Sequence, residues 1–197
     1  VITKILPGKV TEIVNALTAE KFIIPVKLDK PAAGEIAKAQ VPGTLFKKAF
    51  KKNKQAMIEI QTEEASYKLP ASEIDISDLA KKLGVAESDV QITVSVNVVK
   101  TPSTKAKVVS NVVEFHVEAV AGDKKVTITV FGSFVEREIV GENEFYPKTS
   151  VAVKFNQDGS FTALPTLFNG KVATVKSLTN STYAIVEQNK TFPDVDN

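Results

Sequence analysis

From Val90 onward the chain keeps a two-residue period. Ile92, Val94, Val96 and Val98 alternate with Gln91, Thr93, Ser95 and Asn97, and Val113, Phe115, Val117 and Ala119 repeat the pattern. Successive side chains of a strand point to opposite faces, so each stretch predicts a strand with one apolar and one polar side. Turn signals separate such stretches: Gly122-Asp123 leads into Val126, Ile128 and Val130, Asp158-Gly159 divides Ser150–Phe155 from Ser160–Leu164, and Asn169-Gly170 precedes Lys171–Lys176. Asp-Gly and Asn-Gly between apolar runs are the strongest short hairpin signals. Ser133–Val140 and Thr182–Glu187 complete a procession of extended segments. Strands with one polar face, joined by tight turns, pair antiparallel.

The first half reads differently. Val10, Ile13, Val14 and Leu17 fall at i, i+3, i+4 and i+7, the spacing of one helix face. Lys21–Leu28 is a β-branched run in which Pro25 marks an edge strand, and Glu35–Val41 is a weaker strand. Pro42-Gly43-Thr44 opens a second helix to about Lys52, with Leu45, Phe46, Ala49 and Phe50 lining its buried side. Met57–Gln61 and Ser66–Leu69 read as a hairpin across Glu63-Glu64. Ser77 is the expected N-cap of a third helix over Asp78–Leu83, which Gly84 stops. The expected fold class is therefore α+β and β-rich: antiparallel sheets in a sandwich-like arrangement of about eleven short strands, with about three short helices mainly in the N-terminal half. One β-rich unit is expected over residues 1–188, with Thr101–Thr104 as a loop or sub-boundary and residues 189–197 as a linker into a following module. Starting at Val1 and stopping at Asn197, the sequence reads as a piece of a longer protein.

Composition removes several function classes. Cysteine is absent, which excludes thiol nucleophiles, redox pairs and cysteine zinc sites. Of 25 basic residues only Arg137 is arginine, tryptophan is absent, and the net charge is +2. Nucleic-acid readers rely on arginine for bidentate contacts, so no nucleic-acid partner is expected. No apolar run approaches the roughly 18 residues of a membrane helix, so no membrane span is expected. Scattered glycines form no phosphate loop, no alternating Asp/Asn loop suits calcium, and no cofactor is expected.

The remaining candidates are few. His116 is the single histidine and shares a strand face with Glu114 and Glu118; with no second His or Cys, a solvent-facing strand histidine is the better reading than a metal ligand. Arg137 lies between Glu136 and Glu138, and is expected to bridge to an acid on a neighbouring strand rather than position a ligand. Lys47, Lys48, Lys51 and Lys52 make the second helix basic, either as a solvated face or as a patch for an acidic polymer. Tyr146, between Phe145 and Pro147, is the most loop-like aromatic; it reads first as a packed loop anchor and, if exposed, as a platform for a sugar ring. Asn180-Ser181-Thr182 and Asn189-Lys190-Thr191 match the glycosylation sequon.

Thr191-Phe192-Pro193-Asp194-Val195 resembles the opening of a bacterial S-layer homology module, which typically begins Phe-x-Asp-Val or Phe-x-Asp-Ile. The stretches Phe155–Thr166 and Val175–Val186, and more loosely Tyr67-Lys68-Leu69-Pro70 and Phe131–Arg137, resemble the β-rich region that precedes such modules in Firmicutes surface proteins. The resemblance implies an extracellular, cell-surface location in the S-layer or cell wall, with attachment to cell-wall polysaccharide through adjacent modules. It implies a non-catalytic structural, spacer or interaction role, possible partners being a surface protein or a glycan. The alternative is a carbohydrate- or wall-polymer-binding module of a surface-anchored polysaccharide-degrading protein, with Tyr146 or Lys47, Lys48, Lys51 and Lys52 as contacts.

Overall fold

The computed structural model describes residues 1–188. In chain order its elements are β1 (Ile2–Lys4), α1 (Val10–Asn15), β2 (Ile23–Lys27), β3 (Lys38–Pro42), α2 (Gly43–Lys52), β4 (Met57–Gln61), β5 (Ala65–Pro70) and α3 (Ile76–Leu83). There follow β6 (Gln91–Val99), β7 (Lys107–Val108), β8 (Val112–Ala121), β9 (Lys124–Ile128), β10 (Val130–Val140), β11 (Ser150–Phe155), β12 (Phe161–Leu164), β13 (Thr166–Asn169), β14 (Val172–Thr179) and β15 (Thr182–Glu187). The protein is β-rich α+β as expected, with its α-helices in the first half. The Phe-Pro-Asp-Val segment lies outside the described residues.

The strands form two sheets. The first has nine strands in the order β1-β3-β6-β8-β15-β11-β12, with β7 also on β15 and β9 also on β8. The second has six, β13-β14-β10-β5-β4-β2. Pairing is antiparallel except at two edges, where β1 runs parallel to β3 and β2 parallel to β4. Pro25 falls on β2, an edge strand. The amide of Met57 donates to the carbonyl of Phe22, and that of Leu28 to Gln61. Even-numbered residues of β2 therefore bond β4, and the N–H that Pro25 lacks would have pointed off the sheet.

The sheets pack face to face over one core. Ile58, Ile60, Tyr67, Leu69, Val135 and Ile139 come from the second sheet, and Val41, Ile92, Val94, Phe115, Val117 and Ile185 from the first. The alternating positions predicted for β6 and β8 are buried, apart from Val98 near the end of β6, which is exposed though still paired with Val113; on α2, Phe50 is exposed rather than buried with Leu45, Phe46 and Ala49. A smaller cluster of Val112, Val153, Phe155, Ala184 and Val186 lies apart from it, packed with Ala106 and Val108. β15 thus contributes to both clusters, Tyr183 and Ile185 to one, Ala184 and Val186 to the other. That double burial explains its continuous apolar run.

The helices gather at one end, beside the C-terminal ends of β3 and β5. Gly43 donates its amide to the carbonyl of Val90, and Ala71 donates to Ala56. α3 is capped by Asp75, whose carboxylate accepts from the amide of Asp78 at 3.0 Å, so the helix starts earlier than Ser77 predicts. Ser77 instead donates to Glu87. Gly84 ends α3 in the left-handed conformation, with φ of 68°.

Candidate functional site

At the opposite end, the chain crosses from β10 of one sheet to β11 of the other through residues 141–149. Four main-chain bonds fix this loop: Gly141 to Lys171, Phe145 to Gly170, Ser150 to Tyr146, and Gln188 to Thr149, at 2.8–3.0 Å. Phe145 turns inward and meets the Phe168 ring at 5.4 Å between centroids. Gly141 leaves room for it: a Cβ there would lie 2.7 Å from the Phe145 ring and 2.9 Å from the carbonyl of Asn143. The next residue is forced out, and Tyr146 is 70% exposed. The expected loop anchor is therefore Phe145, not Tyr146.

Facing this loop is the segment 107–111, laid against β15. Lys107 and Val108 pair with Glu187 and Val186, and the amide of Val109 donates to Ile185 at 2.9 Å. Ser110 accepts from the amide of Ile185 at 2.8 Å and donates to the carbonyl of Asn111. Between the two walls runs a groove of about 520 Å³, whose lining includes Lys107, Asn111, Glu142, Asn143, Glu144 and Tyr146. Lys107 closes an ion pair with Glu187 at 2.9 Å. Tyr146 and Glu187 also line a second hollow with Pro147, Lys148 and Thr149, so the ring stands between two depressions. An aromatic ring with carboxylates, amides and a hydroxyl around it can stack on the C–H face of a sugar while the polar groups meet its hydroxyls. Nothing in the sequence marked residues 107–111 as the facing wall, since their pairing with β15 spans some eighty positions.

The other expected site residues lie elsewhere. Lys47 is engaged, donating to Glu87 at 2.6 Å and to Ser77 at 3.3 Å, and it holds the Glu87 carboxyl below its ordinary pKa. Lys48, Lys51 and Lys52 are exposed on α2. They are not brought together with Tyr146: β8 spans ten residues from the groove end to the helix end, on the order of 30 Å. His116 lies 2.9 Å from Glu118 across one strand face and lowers that carboxyl's pKa through this bond, which Lys125 reinforces at 3.6 Å. Among the described residues no group of three or more His, Asp or Glu is placed to hold a metal ion.

Arg137 departs furthest from expectation. Among the described residues it bridges to no acid; it is fully buried between the sheets, with its guanidinium carbon 5.0, 5.4 and 4.9 Å from the ring centroids of Tyr67, Phe115 and Tyr183. It donates to the carbonyls of Val135, Ser177 and Thr179 and to Oδ1 of Asn180 at 2.6–3.3 Å, all neutral acceptors. The ion pairs instead belong to its neighbours, Glu136 and Glu138, which flank Lys68 at 2.9 and 3.5 Å. The cause is parity: Arg137 shares the inward face with Val135 and Ile139, the glutamates the outward face with Phe134. Asn180 also accepts from Tyr67 and donates to Ile128 at 2.7 Å, so its amide is committed to the interior rather than free for glycosylation.

No family model matches this chain, and neither a curated protein nor a solved structure matches it.

Proposed function

We propose that this chain is a non-catalytic interaction module of an S-layer-associated, wall-anchored bacterial surface protein, acting outside the cell, and that its working surface is the Tyr146 groove, which takes a carbohydrate chain. The observation carrying the reading is the solvent-facing Tyr146 ring, set between two hollows by a loop that buries its neighbour Phe145. A rigidly presented aromatic loses little conformational entropy on binding, which is why such rings recur in recognition surfaces. Attachment to the wall itself would belong to adjacent modules, as the resemblance implies. The test is a titration of the protein with purified cell-wall polysaccharide, followed by two-dimensional NMR. Shifts confined to residues 107–111 and 142–150, with affinity lost in Tyr146→Ala, support the reading. Shifts centred on Lys48, Lys51 and Lys52, or a Tyr146→Ala variant that binds normally, sink it.

A spacer role is the second reading. It is favoured by β15, which is held by β8 and β7 on one side and β11 on the other, so that load entering at Gln188 meets ladders on both flanks. A spacer would tolerate Tyr146→Ala without any loss of function in the intact surface protein.

A further inference from the structure

We infer that the groove selects its glycan by charge, favouring sugar units that carry free ammonium groups over N-acylated or acidic ones; this rests on the carbohydrate reading above. The lining holds three carboxylates, Glu142, Glu144 and Glu187, against one cation, Lys107. Lys107 is taken up by Glu187 at 2.9 Å, and neither Glu142 nor Glu144 has an ion-pair partner among the described residues. Both are exposed on the same loop as Tyr146. The face of a tyrosine ring attracts a cation through its quadrupole, so the ring and the two free carboxylates favour the same ligand charge from independent sources. An acidic polymer would meet uncompensated like charge there, which excludes it from this groove even though the molecule is net positive. On its other side Tyr146 is bordered by Lys148, the one cation among the described residues lining the second hollow. The basic surface that would suit an acidic polymer is the α2 face, at the far end of the sandwich.

Calorimetry with three soluble probes decides the matter: a glucosamine hexasaccharide below its amine pKa, an N-acetylglucosamine hexasaccharide, and an oligogalacturonate. The glucosamine oligomer is expected to bind about tenfold tighter than the N-acetylated one, a difference of about 1.4 kcal/mol. That margin shrinks with added salt, because the carboxylates are exposed. Glu142→Gln with Glu144→Gln is expected to erase the difference between the two hexasaccharides, and Tyr146→Ala to weaken both. Equal binding of the two hexasaccharides overturns the charge inference and leaves the carbohydrate reading standing. Preference for the oligogalacturonate overturns it likewise. Binding of no saccharide overturns both, and an oligolysine peptide bound in their place would give the groove to a basic polypeptide instead. All three positions are exposed, so unchanged thermal unfolding of each variant separates lost binding from lost fold.

Discussion

Arg137 shows how a single residue can hold two sheets together without a counter-charge. Its guanidinium spans three rings and four neutral acceptors contributed by both layers. A planar donor fork suits this cage, and an ammonium does not. Arg137→Ala leaves a cavity and several unsatisfied acceptors, and is expected to cost about 3–5 kcal/mol in urea unfolding. Arg137→Lys is expected to retain only part of that stability. The same cage acts on Tyr67: burial pushes its phenol well above the ordinary value near 10, with Arg137 opposing in part. The unfolded chain then releases this proton at lower pH than the folded protein does. Stability contributed by Tyr67 is therefore present below pH about 10 and falls as pH rises past it. Tyr67→Phe should flatten that alkaline decline in a series of denaturation curves; an unchanged slope would remove Tyr67 from the account. The sequence did carry the signal for the inward arginine, in its parity with Val135 and Ile139, but pairing of a strand arginine with an acid on a neighbouring strand is the commoner pattern and masked it. For Tyr146 there was no such signal. Two adjacent aromatics in a loop do not say which one is buried, and the answer depends on Phe168, more than twenty positions away.

Among elements, the loop between β10 and β11 is the one on which the candidate site depends. Its geometry follows from the absence of a side chain at Gly141 beside the Phe145 ring. Gly141→Ala forces the ring to move and should release Tyr146 from its set position. The expected outcome is a modest fall in thermal stability together with a larger loss of polysaccharide affinity, read by calorimetry and melting on the same sample. Helix α3 gives a cleaner case. Asp75→Ala removes the N-cap and should cost about 1 kcal/mol, whereas Ser77→Ala leaves the cap intact and releases only the hydrogen bonds that Ser77 makes to Glu87 and accepts from Lys47. Elements whose period is imposed locally, such as β6, β8 and α2, were legible from the sequence nearly to their ends. The helix start was not, because Asp75 and Ser77 are both good caps and the choice is made by Glu87 drawing Ser77 away.

At the scale of the molecule, strand order is the part that no local pattern encodes. Hairpins such as β4–β5 and β13–β14 follow from their turns, but the insertion of β15 between β8 and β11 joins segments far apart in the chain. Such non-local pairing slows folding, since loop closure precedes its reward. A chain ending at Ser181 should lose both hydrophobic clusters' contributions from Tyr183, Ala184, Ile185 and Val186 and show no cooperative unfolding transition. A cooperative melt in that truncated protein would show that the two sheets close without their shared strand. The position of β15 has a consequence for biogenesis. A nascent chain emerges N-terminal end first, and the nine-stranded sheet has no centre until residues 182–187 have left the ribosome. Until then Val113, Phe115, Val151 and Val153 flank an empty slot and the nine-stranded sheet stays open. β15 is in effect the key of this sheet: its arrival joins the parts carried by β8 and β11.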